Sequence, residues 1–280
     1  MTSTDFSDPA PPVSKERARR GGSRVGSFLV RFGWQILALV VVLVAWQLAV
    51  DAHFLTTLEV SRPIDIWHEL VQLGHSGLIW GNIWTTFKEA LVGYVAGSVV
   101  GILAGFSMAF VPRVFAVFNP YVTVMNSIPR LALAPLFILW FGIGSMSKVV
   151  LVFSLVVFIV FTNTIAGARS VDTDVVTVSR ILGASKRQIT AKVLVPSTVP
   201  WVVAGMRLSI AYAVAGAVVG EMFASQSGVG NLIVAGSGLF NTSEIFAALL
   251  LIAVIAALLD FVGRLVERRV LRWRPEVELG

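Results

Sequence analysis

The chain has 280 residues, a mean hydropathy of +0.83, 56% hydrophobic residues and only 14% charged ones. That excludes an ordinary soluble domain, whose charged share is nearer ~25%. The absence of cysteine excludes a disulfide scaffold, thiol catalysis and thiolate metal sites. The net charge of +6 does not point to nucleic acid, because Lys and Arg flank apolar runs as positive-inside membrane topology requires.

Residues 1–33 combine Pro9, Pro11 and Pro12 with Ser, Gly and six basic residues, which predicts a disordered, basic cytoplasmic tail. Trp34 to Val50 is longer than the ~7–15 residues of a signal-peptide core and no small-x-small cleavage site follows, so it reads as an uncleaved first span. This span and an outer linker occupy 34–61. From Arg62 to Leu73, Ile64, Trp67, Leu70 and Val71 share one helical face, which suits either the outer membrane surface or packing on other spans. His53, His68 and His75 lack ligand-like spacing and read as solvated, so no metal site is expected.

The second span runs from Ala90 to Val111 and carries Gly93, Gly97, Gly101 and Gly105 at every fourth position. This stripe lets another backbone approach closely, either within the chain or at a subunit interface. Val114 to Ala168 is too long for one span. Arg113 before it and a basic segment after it place both ends inside, so it crosses twice, turning at Gly142 to Lys148.

The break Asn126-Ser127-Ile128-Pro129-Arg130 interrupts the third span, because Pro129 removes a helical donor. Exposed backbone polar groups at membrane depth require protein or a water-filled cavity beside them. Asn126, Ser127 and Arg130 are therefore candidate path residues. A mid-span arginine costs at least ~2.5–3.5 kcal/mol on insertion scales. Arg130 accordingly either serves the path or is neutralised by pairing or snorkelling. Asn163 is a further path candidate, with an interhelical hydrogen bond as its alternative.

Residues 169–196 form a charged, amphipathic loop with Arg169, Arg180, Lys186, Arg187 and Lys192. It reads as two short helices about a break at Gly183-Ala184. Asp172 or Asp174 caps the first, and Ser185 with Gln188 makes a capping box for the second. Val178, Ile181, Leu182 and Ile189 are expected to be displayed around the break. The fifth span runs from about Val199 to Glu221. Its Gly216 and Gly220 repeat the packing device, Arg207 is either a path residue or an anchor to the elbow, and Glu221 is a path or boundary residue. The sixth runs from about Ile245 to Gly263, with Arg264, Arg268, Arg269, Arg272 and Arg274 behind it and a short tail at 275–280. Of 22 Lys and Arg, only Arg62, Lys88, Arg130, Lys148 and Arg207 fall outside the predicted inner segments. The reading is an all-α, polytopic membrane protein of about six spans with both termini cytoplasmic.

The loop resembles the EAA loop of binding-protein-dependent ABC importer permeases, roughly E-A-A-x3-G-x9-I-x-L-P. Gly183 and Pro196 fall on its Gly and Pro, Val193 and Val195 replace its aliphatics, and Thr177-Val178-Ser179 stands where the family has Glu-Ala-Ala. Pro129 to Lys148, Gly167 to Val171, Gly205-Met-Arg-Leu208, Gly220 to Ala224 and Gly228-Val-Gly-Asn-Leu232 resemble nitrate/sulfonate/taurine-type permeases in family order.

The resemblance implies a type I ABC importer permease fold over 62–274, with an ATPase-coupling loop that includes Thr177, Val178, Ser179, Ile181, Leu182, Gly183, Ala184, Ser185, Ile189 and Pro196. It also implies a second permease subunit in a homodimer, two cytoplasmic ATP-binding subunits that carry ATP and Mg, and an extracytoplasmic solute-binding protein. The expected setting is a bacterial inner membrane, and the chain itself is expected to hold no cofactor. It has no G-x-x-x-x-G-K-[ST] motif, so ATP hydrolysis is not expected of it.

The expected solute is small, polar and anionic, of nitrate, sulfonate or taurine type. Bicarbonate, riboflavin and thiamine-precursor pyrimidines are the alternatives within the same importer class. An ion-coupled secondary transporter is disfavoured by the absence of repeat symmetry and of buried acids in mid-span. A membrane enzyme is disfavoured by the absence of a convergent catalytic set.

Overall fold

A computed structural model of the chain describes residues 23–273. Residues 1–22 and 274–280 lie outside the described residues, and with them most of the expected basic tail and the C-terminal tail. The chain divides into two units at Thr56 and Thr57.

The first unit contains α1, Ser23–Asp51. The helix starts earlier than expected, so 23–33 is helical rather than tail. Val25, Phe28, Leu29 and Val30 continue the apolar character of the span toward its N-terminus. Trp34, Leu39, Val41, Val42 and Leu48 are all exposed. An all-round apolar helix of this kind has lipid as its solvent.

The second unit contains α2 (Pro63–His75), α3 (Leu78–Phe110), α4 (Pro112–Ser127), α5 (Ala134–Phe141) and α6 (Ser145–Arg169). It continues with α7 (Thr173–Ile181), α8 (Lys186–Ile189), α9 (Val195–Ala224), α10 (Val229–Gly238) and α11 (Thr242–Val270). Among the described residues five helical runs, α1, α3, α6, the α8–α9 run and α11, are each long and apolar enough to span a bilayer. The bent pair α4–α5 makes a sixth span if counted as one.

The core is α3, α6 and α9. A Cβ on Gly93 or Gly97 would fall 2.5 and 2.9 Å from the Cβ atoms of Val152 and Val156. One on Gly101 would fall 2.7 Å from the Val157 carbonyl oxygen, and one on Gly105 2.6 Å from Thr164 Cβ. Both series count upward, so α3 and α6 lie parallel and in register. The glycine stripe is therefore closed within the chain. α9 runs antiparallel to α6, because Gly205, Gly216 and Gly220 meet Asn163, Val152 with Leu155, and Lys148 in descending order. Ala90, Val152, Val156, Val160, Ala213 and Ala217 fill the space between the three helices. The parallel course of α3 and α6 requires one crossing between them, which α4 and α5 supply.

Several helices outrun the expected spans. α3 begins at Leu78 rather than Ala90, α9 covers 195–224 and α11 covers 242–270. Their charged and polar ends find partners on neighbouring helices, which a count of apolar residues does not register. α2 buries Ile66 and Leu73 and leaves Ile64, Trp67 and Val71 outward. It thus packs on one side and keeps an apolar face on the other. α10 lies in a segment from which no element was expected.

Two breaks have identifiable causes. Ile128 precedes a proline and is extended (φ −77°, ψ 126°), Pro129 offers no donor, and α4 and α5 meet at 82° across a 3₁₀ turn at Arg130–Leu133. Pro196 has no N–H for the Lys192 carbonyl. The helix widens there into a π turn, Thr190–Leu194, closed by Val195 N–H on the Thr190 carbonyl. The second elbow helix is therefore the start of the fifth span rather than a separate element.

Candidate functional site: a polar cleft, a buried ionic knot and an exposed elbow

No described side chain of α4 is buried, and α4 faces α6 across an open cleft. The cleft, of about 450 Å³, is lined on α4 by Asn119, Thr123, Asn126 and Ser127 and on α6 by Thr162 and Arg169. The α4 residues recur at three- and four-residue intervals, which puts them on one helix face. Ser127 and Thr123 donate to the Thr123 and Asn119 carbonyls at 3.2 and 3.0 Å, so their hydroxyls are satisfied within the helix.

Arg130 follows the break. Its Nη2 donates to the Met125 carbonyl at 3.2 Å and to Asn126 Oδ1 at 3.3 Å, and its Cζ lies 3.8 Å from the Phe158 ring centroid. Asn126, Ser127 and Arg130 are thus brought together as the sequence suggests. Asn163 is not. It donates to the Ile159 carbonyl at 2.8 Å and packs under Gly205, on the side of α6 that faces α9. Arg207 does not tie α9 to the elbow. It pairs with Glu267 at 3.1 Å and Asp260 at 3.7 Å, both on α11. Those acids lie one helical repeat apart on α11, Asp260 near the end of the run read as the sixth span and Glu267 just beyond it.

At the end of the bundle away from the elbow is a buried knot. Glu221 on α9 is 1% exposed. Its Oε1 accepts from Thr86 Oγ1 at 2.7 Å and its Oε2 from Gly230 N–H at 2.7 Å. Asn82 Oδ1 accepts from Gly228 N–H at 2.7 Å and Thr86 Oγ1 accepts from Val229 N–H at 2.9 Å. The N–H groups that open α10 are thereby held by side chains of α3 and α9, and a carboxylate there also suits the positive end of the helix. Glu221 is thus enclosed by neighbours instead of facing the cleft.

Beside it, Lys148 of α6 donates to Ser225 Oγ at 2.9 Å and lies 3.5 Å from Glu89 of α3, and both charged side chains are buried. No buried acid was expected in mid-span; Glu89 and Glu221 are buried, toward the end of the bundle away from the elbow. Glu89 lies inside α3, and Lys148 belongs to α6 rather than to an outer turn. A lone Glu and a lone Lys in sequence look like span boundaries, and only their mutual neutralisation allows them inside.

The elbow forms as its local signals dictate. Asp172 caps α7 by accepting from Asp174 N–H at 2.8 Å, and Ser185 and Gln188 complete both halves of a capping box at 3.3 and 2.8 Å. Gly183 takes φ +82°, the left-handed region. Val178, Ile181 and Leu182 are exposed, the last two at 79% and 80%. Ile189 is instead buried at 5%, on the turn that runs on into the fifth span. A notch of about 330 Å³ lies between the two arms, lined by Leu182, Gly183, Ala184, Gln188 and Lys192 among others. Among the described residues no group of three or more His, Asp or Glu could hold a metal ion.

The chain belongs to the family of binding-protein-dependent transport system inner membrane components, whose profile matches residues 97–272. It is 31% identical to a putative aliphatic sulfonates transport permease of Bacillus subtilis, over 99% of this chain and 100% of that one. It is 34% identical to a riboflavin transport system permease of Chloroflexus aurantiacus, over 88% and 93% of the two chains. The fold is that of type I ABC importer permeases. The inward-facing MetNI methionine ABC transporter superimposes with a TM-score of 0.61 at 20% identity, covering 70% of this chain and 98% of that one. The chain is accordingly an inner-membrane transport subunit and not an enzyme, and its class implies ATPase and solute-binding partners.

Proposed function

We propose that this permease imports a small organic anion of the sulfonate type, with Arg130 supplying positive potential to the path. The observation that carries the reading is the setting of Arg130. Among the described residues its guanidinium meets a carbonyl, an amide oxygen and an aromatic ring, and no carboxylate. Its charge is held in place without being cancelled, and it adjoins the polar cleft through Asn126. An arginine on an apolar span is costly, and planar bidentate donors suit an oxyanion. The sulfonate permease relative supports the same substrate class.

The elbow is the contact through which ATPase subunits drive the spans. Its exposed Val178, Ile181 and Leu182 and the adjoining notch offer an apolar, concave surface for a partner helix. Two copies of the chain form the path between them, so the exposed face of α4 acquires its second wall from a partner copy. The basic elbow and both termini face the cytoplasm, in keeping with the placement of Lys and Arg.

The test is uptake by proteoliposomes that contain the permease with its ATPase subunits, supplied with the solute-binding protein and labelled ethanesulfonate. Arg130→Gln should lower uptake about tenfold with the complex still assembled, and Arg130→Lys should recover part of it as a point charge without the planar fork. Normal uptake by Arg130→Gln, or uptake of neutral riboflavin with ethanesulfonate ignored, would sink the electrostatic reading.

A further inference from the structure

We propose that Arg169 is a second anion-binding station, at the elbow end of the α4/α6 cleft, which receives the solute from Arg130 before release. This deepens the proposed function and rests on it.

The two arginines are arranged reciprocally. Arg130 follows α4 and lies over Phe158 of α6, while Arg169 ends α6 and lies over Phe115 of α4, 3.5 Å from its ring centroid. Phe158 and Arg169 are separated along α6 by a helical rise of ~16 Å. Between the two stations, Asn119, Thr123 and Asn126 continue the face of α4 that begins at Phe115, and Asn126 already bonds Arg130. Among the described residues no Asp or Glu lines the cleft, and Arg169 has no ion pair or hydrogen bond. Its ring contact holds the guanidinium plane and leaves the N–H edges available, the geometry that binds two oxygens of a sulfonate.

Two moderate sites in series suit conduction better than one strong site, because a solute must leave as readily as it enters. An arginine that served only to set topology would need neither ring nor cleft, and lysine would replace it fully. Arg207 and Arg264, toward the same end, are instead paired with acids, Arg207 with Glu267 at 3.1 Å and Arg264 with Asp260 at 2.9 Å.

The experiment uses the assembled importer in proteoliposomes with its solute-binding protein, and reads labelled ethanesulfonate taken up per ATP hydrolysed. Arg169→Gln should lower that ratio at least tenfold at unchanged complex yield, and Arg169→Lys should recover less than half of it. If the glutamine variant does not assemble, a lowered ratio in Arg169→Lys supports the station by itself. An unchanged ratio in Arg169→Gln, or full recovery by lysine, overturns the inference and leaves Arg169 a topological or headgroup-binding residue. A wild-type importer that moves no ethanesulfonate overturns the proposed function and this inference with it, a result distinct from either variant outcome.

Discussion

Thr86 of α3 and Glu221 of α9 are joined by a 2.7 Å hydrogen bond from the threonine hydroxyl to the carboxylate, and the same hydroxyl oxygen accepts from the Val229 N–H at 2.9 Å. One side chain therefore connects two core helices and the start of α10. The knot also depends on what is missing from α10, since a Cβ on Gly228 or Gly230 would collide with the Glu221 side chain. Asn82 and Glu221 complete the set, so the short helix is held as an extension of the core.

Thr86→Val keeps the shape of the side chain but leaves Glu221 Oε1 and the Val229 N–H without this partner. A buried group stranded in this way costs about 1–3 kcal/mol. The purified permease should show a lowered thermal midpoint in detergent, and Thr86→Ser should restore most of it. A wild-type midpoint for Thr86→Val would show that water or another group takes over the bonds.

Lys148→Met should be more damaging, because it strands Glu89 without its cation inside the bundle. Removing one member of a buried pair costs about 3–5 kcal/mol, whereas apolar or neutral replacement of both is often tolerated. The double variant Glu89→Gln with Lys148→Met should therefore unfold later on heating than Lys148→Met alone. Additive losses in that cycle would mean that the two residues do not act on one another.

Gly183 is the conformational requirement of the elbow, at φ +82° with open space around it. Gly183→Val should strain the turn because a β-branched residue tolerates that region poorly, while Gly183→Asn should be accepted. The expected phenotype for valine is reduced ATPase recruitment or coupled hydrolysis with membrane insertion retained. Undiminished assembly and transport in Gly183→Val would place the coupling contact elsewhere.

The topology can be tested directly in a chain with no native cysteine. Single cysteines at Ser14, Ser76, Ser185, Ser237 and Glu276 should divide cleanly when intact cells meet an impermeant thiol reagent. Only Ser76→Cys and Ser237→Cys should react. Labelling of Ser185→Cys would put the elbow outside and end its role as an ATPase contact.

The sequence by itself determined the elements whose causes lie within a few residues. Asp172, the Ser185–Gln188 box and left-handed Gly183 act over one turn, and Pro129 acts on its immediate neighbours, so the elbow and the broken span were legible before any packing was known. Long apolar runs and the distribution of Lys and Arg likewise set the helical class and the approximate number of spans. Tertiary structure alone decided which faces met. The glycine stripe of α3 announced a close approach, but only the register with Val152, Val156, Val157 and Thr164 identified α6 as the partner. Glu89, Lys148 and Glu221 carry charges that read as bilayer boundaries one at a time. They become interior residues only when α3, α6, α9 and α10 converge, because the cost of burying an ion depends on partners distant in the chain. Arg207 shows the same limit, since its place was set by Asp260 and Glu267 on a helix more than fifty residues away.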